Sequence, residues 1–232
     1  MILSLLLASA YYPFSQTEIK VGCSEFTPYF NLQDGECRSG RGVEMVKKWN
    51  EVQKKYKFTF FSTSPRRRHI DFELGRYDIS LYDNPSWGWG GRNIEYSCIY
   101  EFGSEVFFSK KQEGKTFYKD LKNKKIAAMR GYHYAFAQNI NNEDELKKKF
   151  NITLLNSPSA VIGHVLRGWS EIGLASEAFI DDWNVKNKSN GNAVYKSEIK
   201  DQKYSFRVIV RRNSIVDIGY LYENLGLKCI EK

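Results

Sequence analysis

Apolar positions along the chain switch between two periods. Glu18 to Cys23 is a short mixed run that reads as a strand, and Phe26-Thr27-Pro28-Tyr29-Phe30 follows it as a rigid aromatic turn. Asp34-Gly35 marks a tight hairpin. From Val43 to Tyr56 the apolar side chains fall at Val43, Val46, Trp49 and Val52, the stripe of an amphipathic helix, and Lys57 to Ser62 then alternates as a strand does. A short helical pattern from Arg66 to Leu74 closes at Gly75, and the apolar run Ile79 to Tyr82 completes a βαβαβ unit.

A loop dense in Gly and Trp leads to Arg92 and a second aromatic, β-branched stretch, after which the alternation starts again. Ile126 to Met129 reads as a strand and Gly131-Tyr132-His133-Tyr134 as the opening of a helix. Asn142 to Phe150 is a short charged helix, Ile152 to Leu155 a strand, and Ser159 to Arg167 a helix that Gly168 caps. Glu171 to Ala175 is again a strand, Tyr204 to Arg211 is alternating and β-rich, and Ser214 to Leu225 is a closing helix. The pattern is α/β throughout. Arg92 falls just past a strand end, where open α/β sheets bind their ligands.

Composition narrows the class. With 232 residues, 42% of them hydrophobic and 15% aromatic, the chain is too apolar for disorder and long enough for one domain or two lobes. No apolar run approaches the roughly 18 residues of a membrane span, so the protein is expected not to be membrane-embedded. The net charge of +8 raises a nucleic-acid reading. The lysines, however, are scattered over helix faces among acids, and only Pro65-Arg66-Arg67-Arg68 forms a dense patch; no nucleic-acid partner is expected. The N-terminus, residues 1–10, is an apolar run ending in Ala8-Ser9-Ala10, which reads as a secretory signal peptide although no Lys or Arg precedes it. The four cysteines Cys23, Cys37, Cys98 and Cys229 show no C-x-x-C spacing and no Cys/His cluster, so neither a metal site nor a cofactor is expected.

Segment by segment, the chain resembles the type II periplasmic solute-binding proteins, the family that includes the amino-acid receptors of ABC importers. Gly75-Arg76-Tyr77-Asp78 stands where that family has "G-x-x-D" before a strand, Arg92 where an Arg ends a Thr-rich loop, and Tyr96-Ser97 where "F-S" precedes a crossover. Phe117 to Ile126 and Glu171 to Ala175 match two motifs of the second lobe. One departure is clear: Trp87-Gly88-Trp89-Gly90-Gly91 replaces the Thr-rich loop. The resemblance spans roughly residues 18–225. It implies a two-lobed fold with two hinge crossovers and a ligand cleft, with lobe 1 made of 18–98 plus 210–232 and lobe 2 of 103–203. All four cysteines then fall in lobe 1 or at its edge, which favours the pairs Cys23–Cys37 and Cys98–Cys229; buried free thiols are the alternative.

The same resemblance implies the site. Arg92, a planar always-charged fork, would anchor a carboxylate. Phe26 and Tyr29 stand where family aromatics flank the ligand, with packing beneath the loop as the other reading. Trp87 and Trp89, separated by one Gly, are candidates to stack on a flat, cationic or sugar ligand. Tyr132 holds the place of a hydroxyl residue at a helix N-terminus, and Ser176 or Glu177 the place of an acid that pairs with a ligand ammonium. The function so implied is a monomeric periplasmic binding protein, not an enzyme, that captures a small amino acid or related carboxylate or amine for an ABC-transporter permease. The alternatives are an orphan sensor or scavenger, and a dehydratase-like enzyme of the same fold, for which Glu171, Glu177 and His133 are the available acids and bases.

Overall fold

A computed structural model describes residues 16–140 and 142–230; the expected signal peptide lies outside them. The first lobe grows from three parallel strands, β1 (Thr17–Cys23), β4 (Tyr56–Ser62) and β5 (Ile79–Asp83), with β1 in the middle. Between β1 and β4 come a small hairpin, β2 (Asn31–Gln33) and β3 (Glu36–Ser39), turning at Asp34-Gly35, and the helix α1 (Arg41–Val52). The α1 stripe buries Val46 and Trp49 against the sheet, but Val52 at its last turn is exposed. Helix α2 (Arg68–Glu73) then leads into β5, whose five residues are all buried. A parallel strand covered on both sides reads as a continuous apolar run, which is why β5 was legible.

A two-stranded ribbon joins the lobes. Strand β6 (Ile94–Tyr96) is followed by β7 (Glu101–Ser109), which pairs antiparallel with the long strand β11 (Tyr195–Arg211). The second half of β11 continues into the first lobe, where it pairs with β5 and β6. The return crossover therefore begins at Tyr195, nine residues before the expected start at Tyr204. Register shifts between Lys196 and Lys200, and between Lys200 and Gln202, break the two-residue alternation there and hid the strand.

In the second lobe β8 (Ile126–Met129), β9 (Ile152–Leu155) and β10 (Ile172–Ser176) extend the sheet beyond β7. Its helices are α3 (Glu143–Lys149), α4 (Pro158–Leu166) and α5 (Glu177–Asn187). Asn142, Ser157 and Ser176 cap them, each side chain accepting a backbone N–H of the first turn. The helix expected to open at Gly131 is absent. Tyr134 is extended and only a 3-10 turn, Ala135–Ala137, follows, because the Asp201 carboxylate binds the N–H groups of Ala135 and Phe136 at 2.9 and 2.8 Å. The chain closes on α6 (Ile218–Leu225), which packs on the first lobe through Leu221 and Leu225.

Both disulfides link the favoured pairs. Cys23–Cys37 ties the end of β1 to the hairpin, and Cys98–Cys229 ties the C-terminal segment to the start of the crossover. Separate cores fill the two lobes, two in the first around Ile19, Trp49 and Val208 and around Phe72, Trp89 and Ile209, and two on opposite faces of the second sheet around Phe108 and Ile126.

Candidate functional site

The strand ends of the first lobe face the second lobe across a narrow cavity. From the first lobe come Ser24 and Phe26 after β1, Thr63 after β4, Arg68 on α2, Tyr82 and Asp83 at the end of β5, and Trp87. The opposite wall carries Glu105 on β7, Tyr132 and His133 after β8, and Gln202 on β11. The cavity volume is about 50 Å³. That holds a handful of waters, so the lobes stand closed.

Local backbone geometry aims these groups. Tyr82 takes a left-handed conformation, φ 52°, costly for a bulky residue, and its N–H donates to the Tyr100 hydroxyl at 2.7 Å. The turn brings Asp83 back over the cavity, where Oδ2 accepts from Ser80 Oγ at 2.9 Å and Oδ1 from the Asn84 N–H at 2.8 Å. Arg68 Nε lies 3.8 Å from Asp83 Oδ2, too far for a hydrogen bond, while another guanidinium nitrogen donates to the Trp87 carbonyl at 3.0 Å. Arg68 Nε is thus buried without a hydrogen-bond partner.

Two hydroxyls cross the cleft onto the loop between β1 and β2. Tyr132 Oη donates to the Glu25 carbonyl at 2.9 Å and Ser176 Oγ to the Thr27 carbonyl at 3.2 Å. The Glu25 carboxylate holds that loop in turn, accepting from Thr27 Oγ1 at 2.6 Å and the Leu32 N–H at 2.9 Å. On another side Arg66 of the first lobe meets Glu143 of the second at 3.3 Å.

Burial governs the ionisable groups. It holds His133 down to about 4, with the Arg68 charge adding to the effect, and His69 down to about 3, with Arg68 and Arg92 adding. Both imidazoles are neutral near pH 7, their ring centres 6.4 Å apart across the lobe boundary. Burial pushes Glu105 well above the usual carboxylate range, Asp201 adds to the rise, and the neighbouring Tyr204 hydroxyl opposes it. That hydroxyl stands beside Glu105 without forming a full hydrogen bond, since Glu105 Oε1 and Tyr204 Oη each lack a partner of normal geometry.

No family model matches the chain, and no curated protein matches it. Solved structures do. An ancestral arginine-binding protein bound to arginine superposes with a TM-score of 0.69 at 14% identity, covering 91% of this chain and 92% of that one. A histidine kinase sensor domain with similarity to periplasmic binding proteins gives 0.67 at 14%, covering 91% and 90%. The substrate-binding protein of an amino-acid ABC transporter gives 0.66 at 15%, covering 90% and 92%. The chain has the type II periplasmic-binding-protein fold. Both lobes and both crossovers of that fold are present here, and the cavity lies between the lobes.

Within this fold the expected residues separate into four groups. Phe26, Trp87 and Tyr132 line the cavity, their rings 5.7 to 6.2 Å from Phe26 to each partner. Ser176 touches the cavity loop only through its hydroxyl, and it caps α5 with the same oxygen. Glu177 and Tyr29 face a lateral groove instead, with Arg41, Glu101 and Lys200. Burial works to raise the Glu177 pKa, but Lys200 at 2.5 Å, Ser104 and Lys196 at 3.0 Å outweigh it and hold the carboxylate at about 2.

The structure does not bring Arg92 or Trp89 to the cavity. Arg92 Nε lies 2.9 Å from Glu73 Oε1 of α2, outside hydrogen-bond geometry, and another guanidinium nitrogen donates to the Gly88 carbonyl, so Arg92 is held on the α2 side of the loop. Trp89 is 1% exposed, packed on Phe72 and His69 as a core plug. Glu171 sits at the surface on Lys124 and the Lys125 N–H. Arg68, Asp83, Glu105 and Gln202 were missed. Three of them carried a signal: Arg68 ends the dense arginine patch at a helix start, Asp83 terminates the buried run, and Glu105 is an acid directly before the apolar Val106-Phe107-Phe108.

Proposed function

We propose that this protein is a periplasmic solute-binding protein that closes its lobes around a small polar ligand bearing a carboxylate or an amine, and hands it to the permease of an ABC importer. The observation that carries this reading is the cavity itself, walled by both lobes, with Arg68 and Asp83 on one side and Glu105 and Gln202 on the other. A closing cleft with a few convergent polar groups among aromatic rings is what small-molecule capture requires. Arg68, whose Nε is buried without a hydrogen-bond partner, is the anchor suited to a ligand carboxylate. The two disulfides favour an oxidising compartment, in keeping with export. Among the described residues no helix is long and apolar enough to cross a membrane.

Similarity to amino-acid receptors supports the transport role, and similarity to a kinase sensor domain makes signalling the second reading. An enzyme would need a placed acid, and Glu105, with its raised pKa in the cavity, is the group that serves. A thermal-shift screen over amino acids, polyamines, small acids and sugars tests the binding reading. At about 100 times Kd, one-site binding adds roughly 2.7 kcal/mol, a shift of about 5–10 °C for a chain of this size. A blank screen overturns the reading, and a hit that is consumed rather than recovered intact moves it to the enzyme.

A further inference from the structure

Basic residues that lie scattered along the sequence gather at one pole of the second lobe. Strands β8, β9 and β10 are parallel and start level, since Ile126 pairs with both Ile152 and Ile172. The residues just before each start therefore stand side by side, with the Ile126 N–H on the Asn151 carbonyl and the Glu171 N–H on the Lys125 carbonyl. Neighbouring strands lie about 4.8 Å apart, so three chain segments converge on a narrow face. Lys122 and Lys125 come from the loop before β8, Lys147, Lys148 and Lys149 from the last turn of α3 before β9, and Arg167 from the end of α4 before β10. All six are exposed.

The acids of this pole neutralise little of that charge. Glu171 takes Lys124 at 3.0 Å, Glu145 takes Lys149 at 2.8 Å, and Asp120 accepts from Asn123. Lys122, Lys125, Lys147, Lys148 and Arg167 have no ion pair among the described residues. Lysines in a last helical turn complement the helix dipole, which accounts for those of α3 but not for the loop before β8. Beside them Trp169 is 57% exposed, its ring centre 4.3 Å from the Arg167 guanidinium carbon and 5.1 Å from the His164 ring. We propose that this pole is a docking face for an anionic phospholipid membrane. Its cations meet the headgroup phosphates, and Trp169 lodges its indole at headgroup level, where an amphipathic ring has both an apolar and a wet side. That exposed indole favours lipid over a nucleic acid or an acidic protein. The cleft lies at the opposite ends of β8 and β10, where Tyr132 and Ser176 stand, so a docked second lobe leaves the first free to open and close.

The test is flotation of the full chain with vesicles of equal parts phosphatidylglycerol and phosphatidylcholine, and with vesicles of phosphatidylcholine alone, which control for the apolar N-terminus. The expected result is binding to the anionic vesicles only, released by high salt. A basic residue at an anionic surface is worth about fivefold in affinity, so Lys122→Gln, Lys125→Gln and Lys148→Gln combined should weaken binding at least tenfold. The melting temperature should hold, because all three side chains are exposed. Lys47→Gln, Lys48→Gln and Lys54→Gln combined remove the same net charge from exposed sites of the first lobe and should stay within about threefold of the wild type. Anionic vesicles should shift the tryptophan emission to the blue, and Trp169→Phe should abolish that shift. The proposal is overturned by no binding, by equal binding to both kinds of vesicle, by equal losses from the two triple variants, or by a shift that survives Trp169→Phe. Tighter binding to duplex DNA than to vesicles, lost with the same second-lobe lysines, also overturns it and makes the face a polyanion site. None of these outcomes touches the cleft, so the binding reading stands or falls separately.

Discussion

Removing the Tyr132 hydroxyl isolates the energetics of lobe closure. Tyr132→Phe keeps the ring, with its edge contact to Phe26 at 5.7 Å, and deletes only the 2.9 Å bond to the Glu25 carbonyl. A neutral hydrogen bond of this kind contributes about 1 kcal/mol net. When the lobes part, the carbonyl regains water, so the loss falls on the closed state. About 1 kcal/mol lowers the ratio of closed to open molecules roughly fivefold. A ligand that requires the closed state then loses apparent affinity by the same factor wherever the open form dominates. Where the closed form is populated, small-angle scattering of the ligand-free protein should give a larger radius of gyration for the variant; where the open form dominates, calorimetry with the best ligand of the screen should give a Kd raised about fivefold. Adding Ser176→Ala removes the second crossing bond, 3.2 Å to Thr27, but also the cap on Phe179. Losing the cap costs about 1 kcal/mol of global stability, which urea unfolding separates from closure. A Tyr132→Phe protein with unchanged scattering and unchanged affinity would refute the reasoning.

Three further outcomes follow from the same structure. Loop closure makes the two disulfides unequal: with sequence separations of 131 and 14 residues, the chain-entropy relation gives about 5 kcal/mol for Cys98–Cys229 and about 3 for Cys23–Cys37. Denaturant unfolding of the two Cys→Ser pairs should show that order, and the reverse order would count against it. His69 and His133 have folded pKa values of about 3 and about 4, below the ordinary 6.5. Unfolding therefore takes up protons as the pH falls from 6.5 towards 4, and each histidine removes roughly 1.4 kcal/mol of stability per pH unit there. A urea midpoint that does not fall between pH 7 and 5 contradicts this, and His69→Gln should flatten the slope. Finally, Arg41 and Glu101 meet at 2.5 Å at the crossover with Arg41 half exposed, so Arg41→Ala should change stability by no more than about 1 kcal/mol. A larger change in the unfolding free energy would give the pair a role in setting the hinge.

How much of this was legible in the sequence depends on how local the determinants are. Strands such as β5 and β9 and the capped helix α4 carry their signals within a few residues: a continuous apolar run, a clean alternation, a Ser-Pro start. The long strand β11 did not, because its bulges scramble the alternation and its partner lies about ninety residues away. The segment after Gly131 looked like a helix start, but a carboxylate from β11 captured the N–H groups of its first turn. The cleft follows the same rule. Phe26, Trp87 and Tyr132 line the cavity because the order of segments places their loops at the strand ends. Arg68 borders the cavity and Arg92 does not, because Arg92 is engaged by Glu73 of α2 and the Gly88 carbonyl, contacts no spacing reveals.

The central claim, that the inter-lobe cavity with Arg68 at its wall is the ligand site, is tested most directly by calorimetry on Arg68→Ala and Arg92→Ala with the best carboxylate-bearing ligand of the screen. A buried charge pair lost from one side costs roughly 2–5 kcal/mol, so Arg68→Ala should bind more than tenfold more weakly, and Arg68→Lys should recover only part, because a point charge cannot reproduce the fork. Arg92→Ala, removing a side chain paired with the half-exposed Glu73, should bind within about threefold of the wild type, roughly 0.65 kcal/mol. The reverse pattern, a tenfold loss for Arg92→Ala with Arg68→Ala unchanged, would contradict the account.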